Sequence, residues 1–80
     1  MAGTVADDVR ELIAEAAGMD AADLKDSDTL AEDLTLDSMD LMNLAVSIES
    51  FIDIEVPDAS VRAGMTVGEL ITEVERLKAA

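Results

Sequence analysis

The chain has no cysteine, no histidine, no tryptophan and no tyrosine, and it holds a single phenylalanine and a single proline. Without cysteine, neither a disulfide nor a thiolate metal site can stabilise the fold. Without histidine, the usual general base and the commonest metal ligand are missing. With Phe51 as the only aromatic residue, the core must be aliphatic. No apolar run approaches the ~18 residues of a membrane span. The opening "MAGTVADDVR" has no basic segment ahead of an apolar run, which argues against a signal peptide. A cytoplasmic protein is expected. Basic residues are scarce as well: five against nineteen acids, a net charge of −14. Such a surface excludes nucleic acid, whose phosphates need the opposite sign, and disfavours anionic membranes. Basic protein surfaces remain as partners, drawn in by electrostatic steering; the same charge also serves solubility.

What is present is enough for one domain over residues 1–80, near the lower size limit for a single hydrophobic core. The helical template fits three stretches. The first opens at Thr4, with Asp7 three residues on, and puts Val5, Val9, Leu12, Ile13 and Ala16 on one face; Gly18 stops it. The stretch Met19 to Asp37 carries seven acids and no sustained period. It reads as a long loop pinned by Met19, Leu24, Leu30, Leu34 and Leu36, and a loop of this length asks for a functional reason. The second helix starts at Asp37 or Ser38 and ends near Ile52. From Pro57, "PDASVRAG" suits one short helical turn closed by Gly64. Thr66 and Glu69 form a capping box for the last helix, whose core face is Val67, Leu70, Ile71, Val74 and Leu77. The expected fold is all-α: a small four-helix bundle of three main helices and one short one, with a long loop between the first two.

At about 100° per residue, the second helix has two apolar faces. Leu41, Leu44, Ala45, Ile48 and Ile52 suffice for the core, with Asp40, Asn43, Ser47 and Ser50 roughly opposite. Met39, Met42 and Val46 form a separate stripe at i, i+3 and i+7, bordered by Asp40, Asn43 and Glu49. Either the acidic loop folds over this stripe or it is a docking surface, where adaptable methionines suit several partners.

Ser38 allows three readings. As a nucleophile it needs a base within reach, but histidine is absent and acids at Asp37 and Asp40 oppose an alkoxide. As a helix cap it competes with Asp37, which has Asp40 at the N3 position and leaves the serine hydroxyl outward. As an attachment point, it would place a phosphodiester at the positive end of the helix dipole, against the opposing carboxylates nearby. Electrostatics alone does not decide between the last two.

The segment "EDLTLDSMDLMNLAVSIESFIDIEVPD" resembles the central part of acyl carrier proteins, through Asp33, Leu34, Asp37, Ser38, Met39 and Asp40 and then Val56, Pro57 and Asp58. "TVGEL" resembles the start of that family's last helix, so the resemblance covers nearly the whole chain. It implies a four-helix bundle without catalytic activity of its own. It also implies that Ser38 carries 4'-phosphopantetheine, transferred from coenzyme A by a separate magnesium-dependent phosphopantetheinyl transferase (holo-synthase). Asp37 would help position the metal during transfer, and the domain would hold no resident metal. The prosthetic thiol would hold an acyl or aminoacyl group as a thioester, and an acyl chain could enter between the helices. Loading and processing enzymes with basic docking patches would read Met39, Asp40, Met42, Asn43, Val46 and Glu49, and a monomer is expected. Four departures point toward a specialised fatty-acid or polyketide-type pathway. Thr35 replaces the family's usual glycine, and Asn43 and Ser50 replace glutamates. Ile52 replaces phenylalanine, with Phe51 beside it. Separately, the paired glycines that precede the serine in peptidyl carriers are missing. The alternative is an unmodified acidic interaction module. Calcium binding by "DSDTLAEDLTLD" fits poorly: Leu30 stands where an oxygen is needed and Ala31 where glycine is.

Overall fold

A computed structural model describes residues 3–79. Met1, Ala2 and Ala80 lie outside the described residues, and with them part of the expectations about the amino-terminal segment and a domain over residues 1–80. Among the described residues three α-helices are formed: α1 (Val5–Ala17), α2 (Ser38–Ile52) and α3 (Val67–Ala79). Among the described residues no strand is present, only an isolated antiparallel bridge between Thr29 and Thr66. No helix of these residues is long and apolar enough to cross a membrane.

Each helix begins where a side chain can take an orphan backbone donor. Thr4 Oγ1 accepts the Asp7 N–H at 3.1 Å. Asp37 and Asp40 close a reciprocal box on α2, at 2.8 and 3.1 Å. Thr66 and Glu69 do the same for α3, at 3.1 and 2.8 Å. The ends are equally definite. Gly18 enters the left-handed region at φ 71° and ends α1, while Lys78 Nζ donates to the Ile52 carbonyl at the end of α2.

α1 packs against both α2 and α3. Val9, Ile13, Leu30, Leu44, Ile48, Val67, Leu70 and Val74 are fully enclosed, so the loop supplies a core residue alongside those of all three helices. At roughly 1.5–3 kcal/mol for each large aliphatic side chain, this burial is the main favourable contribution to folding.

The loop between α1 and α2 does more than connect. Leu24, Leu30, Leu34 and Leu36 are buried and Met19 is half-buried, as the sequence pattern requires. A 3₁₀ turn at Ala21–Asp23 breaks its path. Its carbonyls at Asp26 and Asp28 accept the N–H groups of Gly68 and Val67 at 2.9 Å each, so the loop itself satisfies donors in the first turn of α3. Leu30 and Ala31 donate to the Met65 and Ala63 carbonyls, and Leu36 donates to that of Leu30. Gly68 suits this close approach, since a Cβ there would lie 3.3 Å from the Asp26 carbonyl oxygen.

Three expectations need correction. Ala16 is exposed and Ala14 is buried instead, because α1 lies between two helices and its covered face turns toward the small residues Ala6, Ala14 and Ala17. The short fourth helix is a single 3₁₀ turn, Asp58–Ser60. It ends well before Gly64, because Val61 returns to extended backbone with its N–H bonded to Asp58. On α2, Asp40 and Ser47 are half-buried rather than part of a uniformly exposed polar strip, as they flank the core-facing side.

Candidate functional site

Ser38 is the first residue of α2 and is exposed. The capping contacts fall to its neighbours: Asp37 Oδ1 accepts from the Asp40 N–H, and Asp40 Oδ2 accepts from the Asp37 N–H. The serine hydroxyl is thus left out of the cap, at the end of α2 where backbone N–H groups point outward. Beside it a shallow groove of about 190 Å³ is lined by Leu41, Met42, Ala45, Asp58 and Val61. Asp58 and Val61 come from the 3₁₀ turn and the residue after it, so the short element between α2 and α3 forms the far wall. Val61 was not foreseen as a site residue; its only signal was its apolar character in an otherwise polar turn.

The backbone approaching Ser38 is strained. Thr35 adopts φ 56°, in the left-handed region that a β-branched residue seldom enters, and its hydroxyl donates to the Leu34 carbonyl at 2.7 Å. Such a conformation costs an ordinary residue roughly 1–2 kcal/mol. It is held because Leu34 and Leu36, on either side, are both buried.

The second apolar stripe is uncovered. Met39 and Met42 are each 70% exposed and Val46 is 59% exposed, on the same helix as Ser38. The acidic loop does not fold over them. Leaving these side chains in water forgoes about 1.5–3 kcal/mol that burying each large one could contribute. Among the bordering residues Asn43 is exposed, while Glu49 is half-buried and its Oε2 accepts the Val56 N–H at 2.9 Å. Glu49 therefore fastens the turn after α2 as well as bordering the stripe.

Three of the acidic loop residues, Asp26, Asp28 and Asp33, have internal roles. Asp26 pairs with Arg10, whose other nitrogen donates to the Leu24 carbonyl. Asp28 accepts the Lys25 N–H, and Asp33 accepts from both the backbone and the hydroxyl of Thr29. Near the far wall, Ser60 is buried and donates to Glu73 at 2.7 Å, and Glu73 also receives Arg76. The Arg76 bond first, then that from Ser60, hold the Glu73 carboxyl down at about 2 from its ordinary 4.5.

The site thus joins an exposed serine at a helix start to an uncovered apolar stripe on the same helix, in an all-α fold. The chain's kinship is specific. Residues 7–74 match the family described as the phosphopantetheine attachment site, and the chain belongs to that family. Among its relatives is an acyl carrier protein of Sulfurovum sp., 35% identical over 71 residues that make up 89% of this chain and 95% of that protein. Acyl carrier proteins of Chlamydia caviae and Wolinella succinogenes are 33% and 31% identical, over 86% and 90% of this chain and 90% and 95% of their own lengths.

Proposed function

We propose that this chain carries acyl intermediates as thioesters on a 4'-phosphopantetheine joined to Ser38 Oγ. The observation that supports Ser38 is its place: exposed at the start of α2, within the matched region, with the capping contacts made by Asp37 and Asp40. The residues around it suit the group. A phosphodiester there would lie at the positive end of α2, opposed by the nearby carboxylates of Asp37 and Asp40, and Leu41, Met42, Ala45 and Val61, together with Asp58, line a groove beside it for the arm. When bound, the arm supplies the thiol that this cysteine-free chain lacks.

The chain's own residues present and position. Asp37 orients the helix start through its cap, and its carboxylate would help position the metal ion used by the phosphopantetheinyl transferase during attachment. Met39, Met42 and Val46, with Asp40, Asn43 and Glu49 around them, form the surface read by that transferase and by acyl- or aminoacyl-loading and processing enzymes. Chemistry on the cargo belongs to those partners, and the carrier acts as a cytoplasmic monomer forming one domain. Neutral Asn43 and Ser50 on this face favour a specialised fatty-acid or polyketide-type pathway.

Intact mass of the protein co-expressed with a phosphopantetheinyl transferase tests the attachment. The wild type gains the mass of one phosphopantetheine and Ser38→Ala gains none. Gain by neither overturns the assignment and leaves an unmodified acidic interaction module as the better reading, whereas equal gain by both overturns Ser38 as the attachment residue.

A further inference from the structure

On α2 the acids beside the docking stripe are held by backbone: Asp40 by the Asp37 N–H and Glu49 by the Val56 N–H. Uncommitted negative charge lies on another side of the molecule. Phe51 is 64% exposed and sits about 140° round α2 from Val46 at 100° per residue. With Leu12, Asp8, Glu11 and Glu15 of α1 it lines a groove of about 260 Å³. The basic residue on α1, Arg10, is committed elsewhere, to Asp26 and the Leu24 carbonyl. Among the described residues Asp8, Glu11 and Glu15 form no salt bridge, and no three acidic side chains are grouped closely enough to hold a metal ion.

The groove therefore combines an aromatic face, an aliphatic floor and spread carboxylates. Its volume is below the range of about 300–1,000 Å³ usual for small-molecule sites and suits one long side chain. A guanidinium matches all three features: it stacks on an aromatic ring, pairs with carboxylates in a fork and lays its methylenes on apolar surface. An ammonium uses mainly the charge. We propose that the Phe51 groove receives an arginine side chain from a basic segment of a partner protein. This contact lies away from Ser38 and does not depend on the attachment reading.

The test is a ¹⁵N NMR titration with a blocked, otherwise neutral helical peptide carrying one arginine, alongside its lysine and norleucine counterparts. The arginine peptide is expected to shift the amides of Asp8 to Glu15 and of Phe51, and to bind about two- to fivefold more tightly than the lysine peptide. Phe51→Leu keeps an apolar side chain at an exposed site and should remove the arginine preference. Glu11→Gln with Glu15→Gln should weaken binding about twofold or more, whereas Glu75→Gln on α3 should change little. Spectra of the free variants confirm that each is folded. The proposal is overturned by absence of binding, by equal affinity for arginine and lysine that Phe51→Leu does not change, or by shifts spread along residues 19–37.

Discussion

The starts of α2 and α3 use the same device to different ends. Each has a reciprocal capping box, Asp37 with Asp40 and Thr66 with Glu69. At α3 the remaining donors are closed off by the molecule itself, since Val67 and Gly68 give their N–H groups to the loop. At α2 the first residue is a serine facing solvent beside an open groove. One helix start is sealed by the chain itself and the other is left open to solvent. A capping motif alone does not tell which is which; the difference lies in what the rest of the chain brings to it.

The largest effect expected on this contrast comes from removing the side chain that anchors the closing loop. Leu30 is fully enclosed, so Leu30→Ala should cost about 2–5 kcal/mol by urea denaturation, a large part of a small domain's stability. A cost below 1 kcal/mol would mean that the loop is not needed to seal α3.

Next come the caps. Thr66→Ala and Asp37→Ala should each cost about 1 kcal/mol in the same measurement. Asparagine caps about as well as aspartate, so Asp37→Asn should keep most of that stability. If it also slows phosphopantetheine transfer, followed by mass, the carboxylate has a role at α2 beyond capping. Unchanged transfer would reduce Asp37 to a cap like Thr66.

A pH series examines the wall of the groove near Ser38. Glu73 titrates near 2 in the folded chain and near 4.5 when free of its partners. The stability it contributes is thus complete above about 4.5 and is lost as pH falls toward 2. Glu73→Gln should lower stability at neutral pH and flatten its decline between those values. Because the pair with Arg76 is exposed, added salt should shrink the difference. An unchanged acid profile would show that Ser60 and Arg76 are not held by this carboxylate in solution.

Thr35→Gly probes the approach to Ser38. Relief of the left-handed strain, offset by the greater freedom of glycine in the unfolded chain, should leave a gain of roughly 0.5 kcal/mol. A loss would show that the Thr35 hydroxyl bond to Leu34 outweighs the strain. The smallest stability change belongs to Ser38→Ala, within about 0.5 kcal/mol, despite complete loss of the mass gain.

Much of this was readable in advance because it is local. Thr4, Asp37 and Thr66 are capping residues followed at the right distance by acids, and the enclosed side chains of α2 and α3 follow a 3.6-residue period. The stripe of Met39, Met42 and Val46 separated from the core on the same arithmetic. The exchange of Ala16 for Ala14 was not readable, because small residues give little hydropathy contrast and α1 is covered from two directions. The links from Asp26 and Asp28 to α3 were hidden for another reason. They join backbone to backbone across distant parts of the chain, and no side-chain type marks them. Gly68 recorded that approach, but a glycine alone does not name what comes close.

The loop's backbone bonds also make a mechanical prediction about opening. From Gly68 and Val67 the connections run to Asp26 and Asp28, from Met65 to Leu30, and from Leu30 to Leu36, next to Asp37. Fraying the first turn of α3 should release the same chain that positions the start of α2. The amides of Leu30, Leu36, Val67 and Gly68 should therefore lose hydrogen-exchange protection together, as one cooperative unit. Ser38, exposed as it is, inherits its placement from a helix it does not belong to.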